Sequence, residues 1–238
     1  MNTRRVRAIV RKELREYRRN GSIVVAMAVL PLIFLIQPLI VVFGLTASSS
    51  SRLAHEHLLL YLLGIPALVP ALIAAYAVVG ERQQGTLEPV LTTPIRREEF
   101  LLGKALAALL PSVAVAYAVY AVFLACVGLF ADPSVASALL QWPQMLAQVL
   151  FTPLVAAWSI WVGMGISARS NDVRVSQQLG TLVSLPTVAL TTVVAFDLIH
   201  PTLRVALGLA AALLVLDGLG ARIVAPAFDR ERLVTGTR

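Results

Sequence analysis

Charge is what this sequence has least of. Asp, Glu, Lys and Arg make up 14% of its 238 residues, where soluble domains carry about 25%. Against 58% hydrophobic residues and a mean hydropathy of +0.81, that is too little polar surface to face water on all sides, which excludes an ordinary soluble domain. Cysteine is nearly absent too. Cys126 stands alone in an apolar run, so an internal disulfide is excluded and the residue reads as packing. No G-x-x-x-x-G-K-[ST] occurs: Gly103-Lys104 is followed by Ala105 and has no glycine at the required offset, so the chain has no P-loop of its own. Catalytic constellations are missing as well. There is no Ser/His/Asp set, no carboxylate pair and no pair of buried histidines. His55-Glu56-His57 lacks H-E-x-x-H spacing and a third ligand and reads as a solvated loop, while His200 before Pro201 reads as a helix start.

What is present is a series of long uncharged runs. A span needs about 20 apolar residues, the thickness of the hydrocarbon core divided by the helical rise. The runs predict an all-α membrane protein with six transmembrane helices at 22–45, 58–79, 101–131, 143–168, 175–196 and 202–225, the last interrupted by Asp217. The whole chain, 1–238, reads as one membrane domain without an internal repeat. The net charge of +7 would suggest nucleic acid on a soluble protein. Here its distribution gives a better account. With the N-terminus inside, eighteen of the twenty basic residues fall on the cytoplasmic side, and only Arg52 and Arg204 fall outside. The basic balance is thus a topology signal, both termini lie inside, and no nucleic-acid partner is expected. The first span exceeds a signal-peptide core and is expected to be uncleaved. The excess of Arg over Lys hints at a GC-rich bacterial genome. Prolines 31, 38, 66, 70, 111, 153 and 186 sit within spans, where neighbouring groups can satisfy the carbonyls they free.

Residues 1–21 predict an amphipathic helix. Val6, Ile9, Val10, Leu14 and Tyr17 share one face and seven basic residues take the rest, with Asn20-Gly21 as the stop. Such a helix lies in the headgroup plane, as an orientation signal and as an elbow that sets the angle of the first span.

The polar segment 80–100 is the most informative. Gly85 can stop the second span, Thr86 can cap a short helix, and Leu87, Val90 and Leu91 form an apolar ridge. Thr93-Pro94 reads as N-cap and N1 of the next helix. The product suits docking into a groove on a cytoplasmic partner, or lying as a connector on lipid. The string Glu81-Arg82-x-x-Gly85-Thr86-Leu87-Glu88-x-x-Leu91-x-x-Pro94-x-x-Arg97, with Gly103-Lys104 after it, resembles the signature of ABC-2 type transporter permeases. Val175-Ser176-Gln177-Gln178-Leu179-Gly180, with Pro186 beyond, resembles that family's fifth-span start, and the likeness extends over nearly the whole chain. Pro89 is a mild departure that bears on the helix boundary.

The resemblance implies a permease subunit of a bacterial ABC exporter in the cytoplasmic (inner) membrane, with no enzymatic activity and no cofactor of its own, ATP and Mg being bound by a partner ATPase. It implies a second permease chain, as homo- or heterodimer, within the lipid bilayer. It makes the 80–100 connector the coupling helix: Glu81 and Arg82 end the second span, Gly85 and Thr86 turn the chain, and Leu87, Glu88, Val90 and Leu91 meet the ATPase. A secondary transporter driven by ions, or a non-transporting scaffold or biogenesis factor, are the alternatives.

Two polar stripes lie within the spans. Gln141, Gln144, Gln148 and Thr152 read as helix–helix glue. Gln177, Thr181, Ser184 and Thr191 suit either glue or a translocation pathway. Asp217 is an intramembrane carboxylate and a functional candidate by default. Its closeness to Arg222 favours a structural pair near the cytoplasmic interface, with Arg169 or Arg174 as partner, over a proton or ion relay.

Overall fold

The computed structural model describes residues 2–44, 58–83, 85, 95–170, 172–182 and 203–228. Every regular element among them is helical. In chain order these are α1 (Thr3–Arg19), α2 (Gly21–Gly44), a 3₁₀ segment (Leu58–Leu63) running into α3 (Gly64–Gln83), α4 (Arg97–Phe130), α5 (Pro133–Leu139), α6 (Trp142–Arg169), α7 (173–182), and α8 (Leu203–Val224) with a closing 3₁₀ turn (Ala225–Phe228). Five of these helices are long and apolar enough to cross a membrane: α2, α3 with its 3₁₀ lead-in, α4, α6 and α8. Of the expected 175–196 span, only the part up to residue 182 is described.

The bundle is organised around α3, which is enclosed on nearly all sides while the other spans bury one face each. Its main neighbour is α6. The sequence explains the fit. Ala67, Ala71, Ala74, Ala75 and Ala77 on α3 are buried, and on α6 Gly163 lies so close that an added Cβ would come within 2.7 Å of the Ala71 carbonyl oxygen. Small residues let two backbones approach and gain dispersion contacts where lipid offers no hydrophobic driving force. Ser167 of α6 adds a polar link, its hydroxyl accepting from the Val78 and Val79 N–H groups at 3.0 and 3.2 Å. On the same stretch of α3, α7 presents Ser176, whose hydroxyl donates to the Ala75 carbonyl at 3.1 Å, and Gly180 one turn on, near Ala71 and Ala75.

Three expectations on boundaries change. The second span begins as a 3₁₀ segment, since Pro66 has no N–H to return to Leu62. The third starts at Arg97, not at Thr93-Pro94. Ile95 and Arg96 precede the helix, and the Arg96 N–H donates to the Glu99 carboxylate at 3.2 Å, satisfying one of the groups a helix start leaves open. The stretch left between the expected third and fourth spans, 132–142, is largely α5, with Asp132 as N-cap residue and Pro133 in the first turn. The spans continue through Pro31, Pro38, Pro70, Pro111 and Pro153.

Candidate functional site: an ion cluster joining the amphipathic helix to the connector

α1 has the predicted amphipathic pattern, but its apolar stripe is spent on protein. Val6, Ile9 and Tyr17 are buried, and the helix packs chiefly on α4. The two helices approach closely at Gly103, where an added Cβ would lie 2.7–2.8 Å from the Ile9 side chain. Glycine here is a steric requirement, which gives one half of the Gly103-Lys104 pair its meaning. Gly103→Leu should lift α1 from α4 at a cost of about 1–3 kcal/mol, read as faster tryptic cleavage within residues 4–19 of the folded chain.

Lys104 gives the other half. It is fully buried, with its ammonium 3.0 Å from Glu13 Oε1, 3.2 Å from Glu81 Oε2 and 2.7 Å from the Ala77 carbonyl, and its Nζ lies 5.0 Å from the centre of the Phe100 ring. Lys12 completes the cluster: it bonds Glu81 Oε1 and lies 3.4 Å from Glu13 and 3.2 Å from Glu16. Two ammonium groups and two buried carboxylates thus neutralise each other at one point where α1, the end of α3 and the start of α4 converge. A second link sits at the tip of α1, where the Asn2 N–H donates to Glu99 Oε1 at 2.7 Å and Arg5 lies 3.5 Å from Oε2. Buried charges are tolerable only when paired and hydrogen-bonded, and this arrangement supplies both.

The electrostatics follow. Burial alone would raise the Glu13 pKa, but Lys104 and then Lys12 outweigh it, and Glu13 is held below its ordinary 4.5. Burial likewise works against the Lys12 charge and is outweighed by its bond to and attraction for Glu81, so Lys12 is raised above its ordinary 10.5. A lowered carboxylate stabilises the fold above its unfolded value and loses that contribution as pH falls through the folded one. A raised ammonium does so below its unfolded value and loses it as pH rises through the folded one. Docking of α1 should therefore be flat between about pH 5 and pH 10 and weaken beyond both limits. A spin-label distance between α1 and α4 across that range checks this.

Of the residues singled out in the sequence, Glu81 faces Lys12 and Lys104 from the last turn of α3. Gly85, with φ of +67°, adopts the left-handed conformation that stops a helix, as its type suggested. The Arg82 side chain and the residues Thr86, Leu87, Glu88, Val90 and Leu91 lie outside the described residues, as do Ser184, Thr191, His55-Glu56-His57 and His200. Gln177 and Thr181 are half-buried on α7, flanking the Ser176–Gly180 face turned to α3, and the Thr181 hydroxyl donates to the Gln177 carbonyl at 2.9 Å. On α6, Gln144, Gln148 and Thr152 are buried while Gln141 is an exposed N-cap residue. The Thr152 hydroxyl donates within its own helix, to the Gln148 carbonyl at 2.7 Å.

Asp217 corrects an expectation. No pair with Arg169 or Arg174 forms among the described residues. Arg169 turns back to the Gly165 carbonyl at 3.4 Å, and one Asp217 oxygen is buried without a hydrogen-bond partner. Asp217 lies seven residues before the end of α8, about 10 Å by helical rise, too deep for the ends of α6 and α7 to meet it.

The central site residues Glu13 and Lys104 were not foreseen. The signal was there: Glu13 sits between Ile9 and Tyr17 at steps of four, a carboxylate on an otherwise apolar stripe.

A bundle of long apolar helices, one enclosed and the others burying a single face, defines an integral membrane protein. The profile of the ABC-2 type transporters matches residues 4–208, and the chain belongs to that family. Comparison with curated proteins gives no match. Membership makes the chain a transporter membrane domain, distinct from an ATPase domain, and implies an ATPase subunit and a membrane-embedded dimer as its setting.

Proposed function

We propose that this chain is the permease subunit of an ATP-driven exporter in a bacterial inner membrane, with six spans, both termini inside, and residues 86–91 as the helix that takes up the motion of a separate ATPase. ATP and Mg would be bound by that partner. The observation that carries the reading is the ion cluster. Glu81 comes four residues before the turn at Gly85 and Lys104 lies in the second turn of α4, so the cluster clamps both ends of the connector to each other and to α1. A push delivered between them would move α3 and α4 together. Because α3 is the enclosed centre of the bundle, tilting it disturbs its contacts with α6 and α7 at once, which is what a switch of access requires. Gln177, Thr181, Ser184 and Thr191 would then border the path between two permease chains.

The test is Leu87→Asp with Leu91→Asp. Burying two carboxylates in an apolar docking groove should cost several kcal/mol, so co-purification with the ATPase and ATP-dependent transport should both be lost while the permease still inserts. Retention of both would overturn the placement.

A further inference from the structure

Where α1 turns into α2, the surface folds inward to a notch of about 450 Å³. Glu13, Glu16, Glu81, Tyr17, Tyr76 and Arg19 line it. Three carboxylates there face two ammonium groups, Lys12 and Lys104, which leaves one negative charge in excess. A metal ion fits poorly, because Lys12 Nζ already occupies the space between all three carboxylates. The site is built around ammonium groups. Arg19, in the last turn of α1, adds a cation on the same rim.

A second observation concerns the phenol that lines the notch beside these charges. Tyr17 is 4% exposed, and its hydroxyl makes no hydrogen bond among the described residues. Burial, and then the field of Glu13, raise its pKa and keep it a protonated donor. A buried phenol without a bond is destabilising unless something in the notch accepts from it. A third observation is continuity. α2 leaves the notch at Gly21, and its outer residues Val24, Val25, Val29, Leu32, Ile33 and Ile36 are each about half exposed, an apolar track beginning at the notch's lip.

We propose that the notch holds the headgroup of an aminophospholipid: its ammonium against Glu16, the half-exposed carboxylate that the two lysines leave in excess, its phosphate accepting from Arg19 and the Tyr17 hydroxyl, and its acyl chains along the outer face of α2. Carboxylates, a guanidinium and a phenol donor match the two opposite charges of that headgroup, and a small ammonium that still carries N–H donors is preferred to a methylated one. The inference takes from the proposed function only the setting of α1 in the membrane plane.

Native mass spectrometry of the full chain in detergent tests it, with phosphatidylethanolamine, phosphatidylcholine and phosphatidylglycerol of identical acyl chains as probes. One phosphatidylethanolamine per chain should survive activation that strips the other two lipids. Glu16→Gln and Arg19→Ala should each reduce its occupancy about tenfold, the worth of one bond to a charged group. Tyr17→Phe, which keeps the ring, should reduce it less. Equal retention of the three lipids, or retention unaltered by Glu16→Gln and Tyr17→Phe, would overturn the proposal. Displacement of the lipid by an equal concentration of free phosphoethanolamine would also overturn it, assigning the notch to a soluble amine phosphate instead. The measurement is made without an ATPase, so its outcome is independent of whether residues 86–91 couple to one.

Discussion

Lys104→Met should destabilise the folded chain by about 3–5 kcal/mol, the cost of removing one partner from a buried ion pair. The substitution keeps most of the side-chain volume, so the loss is electrostatic. Glu13 and Glu81, both nearly inaccessible, would be left with Lys12 as their one remaining ammonium partner in the cluster. Thermal unfolding in detergent reads the loss, and trypsin should reach the arginines of α1 while the spans remain intact. The double variant Lys104→Met with Glu13→Met is the sharper measurement. It leaves one buried anion and one cation, Glu81 and Lys12, with the half-exposed Glu16 beside them. Replacing a whole buried pair by apolar groups is often close to neutral, so most of the single variant's loss should be recovered. If the double variant is as unstable as the sum of its parts, the two groups are not coupled and the cluster is not the clamp described above.

The second large effect is expected at Gly163. A side chain there meets the Ala71 carbonyl oxygen at 2.7 Å, the Ala74 methyl at 2.9 Å and the Ala75 nitrogen at 3.2 Å. Two of the three are backbone atoms of a helix enclosed by its neighbours, so nothing can swing aside. Gly163→Val should therefore force α3 and α6 apart, at the upper end of the 1–3 kcal/mol typical of overpacking or beyond it. Ser167, one turn along, would be drawn away from the Val78 and Val79 N–H groups. Accumulation of folded protein in the membrane and its melting temperature report the effect. Gly208, on α8, has nothing within 4 Å of an added Cβ, and Gly208→Ala should leave both unchanged. A similar loss at both positions would mean that glycine flexibility, and not close approach, matters at Gly163.

These two positions also mark how far the sequence could be read. Five of the six expected spans were legible because a helix in hydrocarbon must satisfy its own backbone and show apolar side chains over a fixed length, and both requirements are local. The stop at Gly85 and the periodicity of α1 were legible for the same reason. The 3₁₀ start of the second span, the Arg97 start of the third and α5 were missed, because helix ends are set by which few backbone groups find partners nearby. Glu99 decided the start of α4 from three residues inside the helix, and its other bonds come from Asn2 and Arg5 at the far end of the sequence.

Asp217 and Lys104 show the same limit from opposite sides. Each is a lone charge close to an apolar run. By sequence, Asp217 had the nearer candidate partners, and Lys104 counted as one more cation on the inner side and as the close of the connector signature. In the folded chain Asp217 has an oxygen without a bond, while Lys104 holds two carboxylates 91 and 23 residues away. The sequence by itself determined that this is a helical membrane protein, and with the connector motif it determined the family. Which helix is enclosed, which face of α1 is covered and which charges meet were decided only by tertiary structure. Burial in a bilayer is a property of each segment alone, whereas ion pairing and close glycine packing depend on the positions of two segments at once.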